Sequence, residues 1–259
     1  MTSPVYIIIP ARLRSTRFPK KILAEIKGKT LMEHTYAQAV SSKLGEVILA
    51  VDDLSVEKMA AAFGANKICM TSVDHISGTS RLSEVCQKLA LDPEAIILNW
   101  QVDEPLLSTN NAAQVISNLK NNPEAQVATL CEKMGNLDEL KNPNVVKVVR
   151  NRKSYALYFS RAMIPWDRAG FTELNQNKLD LSSSGAYFRH LGLYAYRVKF
   201  LLDLAEDQTN TCQIENLEGL EQLRFLDLGY RIHVDIARAY SMPGIDMPED
   251  LLKLASVIN

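Results

Sequence analysis

The sequence predicts an α/β fold in which a mostly parallel, doubly wound sheet carries a smaller antiparallel insertion. In the first half of the chain, short apolar runs alternate with helical patterns and the connections are short; this alternation is typical of βαβ units. In the second half, predicted strands follow one another with little helix between them. The 259 residues, of which 47% are hydrophobic, suffice for one large core. We therefore expect a single domain spanning 1–259, with roughly 130–195 as the antiparallel insertion.

The first strand, residues 5–9, is rich in β-branched residues, as is typical of a strand buried on both faces. We expect Pro10 to end it because proline has no N–H for a sheet ladder. The cations of the following loop are Arg12, Arg14, Arg17, Lys20 and Lys21. Because open α/β sheets bind ligands at the carboxyl ends of their strands, this loop predicts an anionic ligand, and arginine suits bidentate phosphate contacts. A solvated basic loop is the alternative, but Ser15, Thr16 and Pro19 favour a shaped loop.

Strands and helices continue to alternate through the first half. Thr30 and Glu33 form a capping box that opens a helix running to about Ser42. We expect Ser55 to cap a second helix that runs through Phe63. The further strands are predicted at 47–51, 67–70 and 95–100, and the further helices at about 80–90 and 109–121.

The second half combines strands with a polar loop and three helices. Strands are predicted at 127–131, 145–149, 155–159, 191–196 and 232–236, and helices at about 198–205, at about 214–228 and from Pro248 onward. The polar residues 167–186 predict a loop. Within the helix at 214–228, Glu218, Glu221 and Gln222 are three or four residues apart, so we expect them to share one face.

Composition narrows the function classes. A net charge of −1 and a pI of 6.4 argue against a general nucleic-acid coat and against a membrane-surface binder, since both are usually more basic. The four cysteines contain no CxxC pair, so neither a zinc site nor a disulfide scaffold is expected. No run of about 18 apolar residues occurs, and the N-terminus lacks a signal-peptide pattern. We therefore expect a cytoplasmic protein with no membrane contact.

Two acids, Asp103 and Glu104, follow the strand predicted at 95–100. Right-handed crossovers place the carboxyl ends of parallel strands at one edge, so we expect these acids to share a cleft with the basic loop. Acids facing cations indicate Mg²⁺ bridging to phosphate oxygens, because Mg²⁺ binds one or two carboxylates together with phosphates and water. A capped turn before Pro105 is the alternative. Asp246 could supply a second carboxylate, although alone it is more typical of a helix cap.

Motifs of several other chemistries are missing from the sequence. No G-x-S-x-G, H-E-x-x-H or G-x-G-x-x-G occurs, which argues against hydrolase, zinc-protease and dinucleotide-binding functions. The triplet 28–30 (GKT) resembles the end of a P-loop, but Leu23 stands where that motif requires glycine. His34, His75 and His233 show no metal-ligand spacing to one another.

Residues 12–21 resemble the R-x-x-S-x-R-x-P-G-K signature of sugar cytidylyltransferases. Seven further segments follow in family order: 74–81 (DHISGTSR), 99–105 (NWQVDEP), 143–149 (PNVVKVV), 155–168 (YALYFSRAMIPWDR), 189–196 (RHLGLYAY), 215–224 (ENLEGLEQLR) and 244–250 (GIDMPED). Together they resemble the 3-deoxy-D-manno-octulosonate (Kdo) cytidylyltransferase family over nearly the whole chain. YFSRAMIPWDR and RHLGLYAYR are specific to this family rather than to nucleotidyltransferases at large.

The resemblance implies a Rossmann-like nucleotidyltransferase that makes CMP-Kdo and pyrophosphate from CTP and Kdo, with Mg²⁺, for lipopolysaccharide biosynthesis. It implies nucleotide-binding residues at Ala11, Arg12, Ser15, Arg17, Lys21, Ser77, Gly78, Thr79, Arg81 and Gln101. It implies sugar-binding residues at Gln101, Arg161, Tyr187, His190, Glu215 and Gln222. Metal ligands are implied at Asp103 and Asp246, and catalytic roles for Arg12, Lys21 and Asp103. The family is typically homodimeric, which implies a subunit contact in the second half of the chain.

Three positions depart from the family pattern. Lys20 stands at a usual glycine position, and we expect its φ to be negative because side chains disfavour the left-handed region. Val102 replaces a glycine beside Asp103, and Ser80 replaces an acid. These changes bear on the sugar side, so activation of the 8-amino analogue of Kdo is a hypothesis. Activation of a sialic-acid-like nonulosonate and a non-catalytic nucleotide-binding relative are the alternatives.

Overall fold

A computed structural model describes residues 3–14, 18–75, 77–168, 185–207, 212–240, 244–245 and 247–257. The chain forms two compact units. The first comprises Met1–Ala113, Ala195–Asp207 and Ala239–Asn259, and the second comprises Gln114–Tyr194 and Gln208–Arg238. The predicted fold class is confirmed, because most strands of the first unit are parallel and helices alternate with them.

The elements up to residue 121 match the predicted alternation closely. In chain order they are β1 Val5–Ala11, a 3-10 turn Lys21–Leu23, β2 Glu25–Ile26, β3 Lys29–Thr30, α1 Leu31–Ser42, β4 Glu46–Val51, α2 Leu54–Ala62, β5 Ile68–Met70, α3 Gly78–Lys88, β6 Ile96–Asn99 and α4 Thr109–Asn121. In the first unit β4 and β6 flank β1, β5 pairs with β4, and all four strands are parallel. Their carboxyl ends therefore lie at one edge of this sheet.

The later elements are shorter and more mixed. They are β7 Val127–Lys133, α5 Leu137–Lys141, β8 Lys147–Arg150, β9 Ala156–Ser160, β10 Phe188–Arg197, α6 Val198–Glu206, α7 Gln213–Glu218, α8 Gln222–Asp227, β11 Ile232–Ile236 and α9 Pro248–Val257. In the second unit β11 pairs in parallel with β7, whereas β8 pairs antiparallel with β9 and with β10. Antiparallel strands thus occur within the range predicted for the insertion. Most of the predicted loop at 167–186 lies outside the described residues.

Pro10 lies inside β1, so the prediction that it ends the strand is wrong. In a parallel ladder, successive residues direct their polar groups to alternate neighbours. The Ile8 carbonyl accepts a hydrogen bond from the Trp100 N–H at 3.0 Å, so Ile8 and Pro10 both face β6. Pairing with β6 ends at the Ile8–Asn99 pair. Pro10 therefore forgoes no ladder hydrogen bond there, and it stays in register with β4.

Two helix predictions also need correction. Asp53, rather than Ser55, caps α2, because its carboxylate accepts a hydrogen bond from the Ser55 N–H at 2.7 Å. The helix predicted at 214–228 is broken into α7 and α8. Gly219 ends α7 with a left-handed φ of 61°, a conformation that glycine adopts without a steric penalty. Glu218 and Gln222 consequently lie on different helices and do not share a face.

Candidate functional site

The loop after β1 begins at a buried residue and turns outward. Ala11 is fully buried at the end of the strand, and Arg12 is exposed. The backbone N–H of Leu13 donates a hydrogen bond of 2.9 Å to Asp52 Oδ1, which fixes the start of the loop. Ser15 and Arg17, both predicted to bind the triphosphate, lie outside the described residues.

Lys20 has a φ of 54° and a ψ of 30°, so the expectation of a negative φ is wrong. Its left-handed conformation starts the 3-10 turn Lys21–Leu23, whose Leu23 N–H donates to the Lys20 carbonyl at 2.9 Å. The glycine usual in the family meets this backbone requirement at no steric cost. Lys20 meets it with an exposed side chain, so the turn keeps its geometry despite the substitution.

Lys21 and Asp103 are in direct contact. Lys21 Nζ lies 2.6 Å from Asp103 Oδ2 and 2.8 Å from the carbonyl oxygen of Ile245. The two side chains are 11% and 25% exposed, so solvent reaches the pair but does not surround it. A residue predicted to contact phosphate and a residue predicted to bind metal are therefore brought together by the fold of the first unit.

The segment 244–245 packs against the backbone of Asp103. The Ile245 N–H donates to the Asp103 carbonyl at 2.8 Å. A Cβ added to Gly244 would lie 3.3 Å from that same carbonyl oxygen, so only a small residue allows this approach. Asp246, the second predicted metal ligand, lies outside the described residues.

Glu104 is a buried carboxyl beside Asp103. Burial, followed by the neighbouring Asp103 charge, raises the pKa of Glu104 to about 8. Its Oε2 has no hydrogen-bond partner within the described part of the chain. Glu104 is therefore largely protonated near neutral pH, which leaves Asp103 as the exposed carboxylate of the pair.

The donor chemistry at Asp103 fits a magnesium ion. Mg²⁺ prefers carboxylate oxygen and completes its shell with phosphate and water rather than with an all-protein cage. Asp103 offers a partly exposed carboxylate, and no group of three or more metal-ligating side chains exists among the described residues. A partly exposed carboxylate of this kind suits an ion that also binds phosphate oxygen.

The start of α3 brings three predicted nucleotide residues next to Gln101. Ser77 caps the helix by accepting a hydrogen bond from the Ser80 N–H at 3.1 Å. A Cβ on Gly78 would lie 4.0 Å from Gln101 Nε2, so the two residues adjoin. Thr79 is buried. Of the three residues, Gly78 is the one whose contact with Gln101 is shown.

Arg81 is almost completely buried, which differs from an exposed nucleotide ligand. Its Nη2 lies 3.0 Å from Asp52 Oδ2 and its Nη1 lies 2.5 Å from Thr71 Oγ1. The side chains of Arg81 and Asp52 are 2% and 7% exposed. Sequence patterns did not indicate a role for Asp52, and its contact with the buried arginine reveals one.

In the second unit, Arg161 binds backbone carbonyl groups. Its Nε donates to the Glu218 carbonyl at 2.6 Å and its Nη1 to the Pro143 carbonyl at 3.0 Å. The carboxylate of Glu218 in turn accepts from the Ser160 hydroxyl at 2.5 Å and from the Arg161 N–H at 2.9 Å. Arg161 thus joins β9 to the end of α7, a role that spacing alone did not indicate.

Lys147 is a buried cation that sequence reasoning missed. Its Nζ donates to the carbonyls of Asn142, Val145 and Arg161 at 2.9, 2.7 and 2.6 Å. Burial, followed by the Arg161 charge, lowers the pKa of Lys147. These three carbonyl acceptors satisfy the hydrogen bonding of the ammonium group. The sequence signal for its burial is the position of the lysine within the apolar run 145–149.

His190 is neutral in this environment. Its Nε2 lies 3.0 Å from Thr129 Oγ1, and its ring packs edge-on against Phe159 with a centroid distance of 5.0 Å. Burial lowers the pKa of His190 to about 3. The imidazole therefore offers hydrogen bonds without charge across the neutral pH range.

The other predicted sugar residues occupy varied environments in the same unit. Tyr187 is buried in a cluster with Met134 and Leu140, and its pKa is raised mainly by burial. Burial also raises the pKa of Glu215, although the Arg224 charge opposes that shift. Gln222 is buried at the start of α8. The three residues lie in the same unit.

Comparison with known proteins gives consistent matches over the whole length. The cytidylyltransferase family model matches residues 6–232. The 3-deoxy-manno-octulosonate cytidylyltransferase of Haemophilus influenzae is 45% identical over 252 residues, covering 97% of each chain. The enzyme of the same name from Francisella tularensis subsp. novicida is 44% identical over 255 residues, covering 98% of each.

Solved structures give the same match. The structure of CMP:2-keto-3-deoxy-manno-octonic acid synthetase complexed with CTP has a TM-score of 0.85 and 36% identity, covering 98% of both chains. A 4-diphosphocytidyl-2C-methyl-D-erythritol synthase has a TM-score of 0.62 at 14% identity, covering 99% of this chain and 98% of its own; that likeness concerns the fold alone.

Proposed function

Because the chain belongs to the 3-deoxy-manno-octulosonate cytidylyltransferase family, we propose that it transfers CMP from CTP to the anomeric hydroxyl of Kdo and releases pyrophosphate. The observation that carries the proposal is the contact between Lys21 and Asp103 at the carboxyl edge of the first-unit sheet. This contact brings together an ammonium group that can bind phosphate and a carboxylate that can bind a metal ion. Lipopolysaccharide biosynthesis is the proposed use of the product.

The two substrates are anions, so the site must offset their repulsion. We propose that Arg12 and Lys21 contact the triphosphate, together with Ser15 and Arg17 from the same loop. A guanidinium and an ammonium group stabilise the charge that develops on the leaving pyrophosphate. Lys21 is already oriented by Asp103 and by the Ile245 carbonyl, so it loses little conformational freedom when phosphate binds.

Asp103 and Asp246 are the residues we propose to hold Mg²⁺. When bound there, Mg²⁺ neutralises phosphate charge and lowers the pKa of the attacking sugar hydroxyl. Asp103 presents its carboxylate because its backbone is held by the Ile245 N–H. Lys21 shares that carboxylate and keeps its charge balanced when substrate is absent. Neutral Glu104 adds no second charge that would repel the triphosphate.

We propose that the nucleoside lies along the start of α3. Ala11, Ser77, Gly78, Thr79 and Gln101 are the residues concerned. A Cβ on Gly78 would lie 4.0 Å from Gln101 Nε2, and this contact supports the proposal because it places two of these residues side by side.

For the sugar we propose residues of the second unit, namely Arg161, Tyr187, His190, Glu215 and Gln222. His190 would recognise a hydroxyl as a neutral group. Arg161 would contribute by shaping the backbone at β9 and at the end of α7, since backbone carbonyls already occupy its Nε and Nη1.

Two of the family departures do not favour an 8-amino sugar. The Val102 side chain is buried, and its carbonyl accepts a hydrogen bond from the Thr35 hydroxyl at 2.7 Å. The Ser80 hydroxyl donates a hydrogen bond to the Ser77 carbonyl at 3.0 Å, within the cap of α3. Both substitutions therefore serve packing and capping inside the first unit, and Kdo is the sugar we propose.

We further propose a cytoplasmic homodimer in which the second unit provides the contact. Leu157, Trp166 and Leu217 of that unit are 59%, 62% and 79% exposed, and large exposed apolar side chains are typical of interfaces. Light scattering after chromatography tests this: the chain should elute as a dimer, and Leu157→Lys with Leu217→Lys should yield monomers. No helix among the described residues has the length and apolarity needed to span a membrane.

The direct test of the reaction is product identity. Chain, CTP, Mg²⁺ and Kdo are incubated, and the products are followed by ³¹P NMR and mass spectrometry. We expect pyrophosphate and a CMP ester of Kdo in equal amounts, and neither product without Kdo. Lys21→Ala serves as the control for contaminating activity. Pyrophosphate released at the same rate without sugar would refute the proposed transfer.

A further inference from the structure

A buried ion pair lies beneath the loop after β1. Arg81 in α3 and Asp52 after β4 are 3.0 Å apart and almost wholly enclosed, with side-chain exposures of 2% and 7%. A charged pair is expensive to bury unless its remaining polar atoms are also satisfied. Its presence at the ligand-binding edge of the sheet therefore calls for a reason beyond packing.

The second oxygen of Asp52 supplies that reason. Asp52 Oδ1 accepts the backbone N–H of Leu13 at 2.9 Å, while Oδ2 receives Arg81. The two carboxylate oxygens thus connect α3 to the residue that follows Arg12. Arg12 is exposed, and its backbone is held on one side by Ala11 in β1 and on the other by this hydrogen bond of Leu13.

Thr71 completes the arrangement and fixes its geometry. Its hydroxyl donates to the Val51 carbonyl at 2.9 Å and accepts from Arg81 Nη1 at 2.5 Å. Arg81 is consequently held from two sides, by the ends of β4 and β5. A guanidinium held in this way presents a fixed fork to Asp52 rather than a mobile charge to a ligand.

We infer that Asp52 is a positioning residue for the loop that carries Arg12, and that Arg81 acts on the nucleotide through Asp52 instead of contacting it. The inference rests on the proposed use of CTP. Arg81 then has no direct nucleotide contact and acts through a relay of three steps. Arg81 orients Asp52, Asp52 accepts a hydrogen bond from the Leu13 N–H, and the loop places Arg12 against the triphosphate.

Two substitutions of Asp52 separate positioning from charge pairing. Asp52→Asn and Asp52→Ala both leave Arg81 without its anionic partner, so both should destabilise the fold. Each variant is therefore also combined with Arg81→Leu, which removes the donor that would compete for the single amide oxygen of asparagine. In that background only asparagine retains an acceptor for the Leu13 N–H, and the two variants are compared there. If Asp52 merely neutralises Arg81, the two variants should bind CTP equally poorly. If Asp52 holds the loop, asparagine should rescue binding.

The experiment measures CTP affinity by calorimetry, with Mg²⁺ and without sugar, and folding by thermal melts. We expect Asp52→Ala to weaken CTP binding about tenfold, the order expected for losing one positioning hydrogen bond, and Asp52→Asn to weaken it less than about threefold. In an Arg12→Ala background, Asp52→Ala should have a clearly smaller effect on affinity than it has when Arg12 is present. Asp53→Asn, which keeps the cap of α2, is the matched control and should bind like wild type.

Each outcome bears on the inference. Equal losses for alanine and asparagine, or additive losses with Arg12→Ala, overturn it while leaving CTP binding by the wild type intact. A wild type that binds no CTP overturns both this inference and the proposed function. Because Arg81→Leu accompanies each Asp52 substitution in this comparison, neither protein buries an unpaired charge. Asp52→Ala with Arg81→Leu should show the loss and its dependence on Arg12, and wild-type affinity in it refutes the relay.

Discussion

Lys20→Gly should stabilise the chain and leave its activity intact, although it removes a cation from the basic loop. Lys20 has a φ of 54°, a left-handed conformation that costs a side-chain-bearing residue about 1–2 kcal/mol. Glycine avoids that cost but gains freedom in the unfolded chain, which offsets about 0.4–1 kcal/mol. The difference between the central values is about 0.8 kcal/mol in favour of glycine.

That difference is large enough to measure. For a chain of this size, 1 kcal/mol corresponds to about 2–4 °C in melting temperature, so Lys20→Gly should melt about 2 °C higher. Lys58→Gly is the matched control, because Lys58 is also exposed but lies within α2. There glycine should cost about 1 kcal/mol, so the two substitutions should shift the melting temperature in opposite directions.

The same variant tests which lysine contacts phosphate. Lys21 Nζ contacts Asp103, whereas the Lys20 side chain is exposed. Single-turnover rates should therefore stay near wild type in Lys20→Gly and fall at least tenfold in Lys21→Ala, since one charged contact in a transition state is worth about 1.5–3 kcal/mol. Lower stability of Lys20→Gly, or equal rate losses in the two variants, would refute this reasoning.

Three further predictions follow from the site. Asp103→Asn should remove most turnover while CTP binding persists in part, as measured by pyrophosphate release and calorimetry; full activity contradicts the metal assignment. His190 has a folded pKa of about 3 against its ordinary 6.5, so the unfolded chain binds more protons between these values and stability falls as pH drops from about 6.5 toward 3; roughly 2 kcal/mol should be lost by pH 5. His190→Gln should flatten this dependence in denaturant titrations, and an unchanged slope would assign it to another group, such as buried His233. Arg161→Lys should lower stability by about 2 kcal/mol, because lysine cannot reproduce the forked carbonyl contacts; wild-type stability in urea would contradict that role.

The sequence identified the architecture of the first unit because its signals there are local. Apolar runs such as Val47–Val51 match β4 within a residue, and the capping box at Thr30 opens α1 where expected. The misplaced boundaries have specific causes. Pro10 is tolerated because β6 ends before it, which depends on a neighbouring strand that periodicity along β1 does not reveal.

The charged residues that follow the ends of strands could be assigned to the candidate site from the sequence. The contacts of buried charged side chains could not. Asp103 and the loop at 12–21 could be placed together by topology alone. The Arg81–Asp52 pair could not, because a charged side chain gives no sequence signal that it is buried. Gly219 was a visible signal for the break between α7 and α8, but the surrounding helical spacing outweighed it.

Residue roles in the second unit were the least accessible to sequence. Arg161, which the family resemblance implies as a sugar ligand, donates hydrogen bonds from its Nε and Nη1 to backbone carbonyls. Lys147, whose Nζ donates to the Arg161 carbonyl, was not predicted to be buried. Both cations are satisfied by backbone oxygens rather than by acids. Hydrogen bonds to backbone carbonyls involve no partner side chain, so sequence patterns do not predict them. The structural role of these two cations is therefore seen only in the folded chain.

Pyrophosphate release from CTP in a panel of sugars tests the central claim most directly. With Mg²⁺ present, we compare Kdo, its 8-amino analogue, a sialic-acid-like nonulosonate and no sugar. We predict more pyrophosphate release with Kdo than with any other sugar of the panel, and no release without sugar. Greater turnover of the amino sugar or of the nonulosonate would contradict the proposed substrate, and CTP binding without any sugar-dependent release would contradict the enzyme itself.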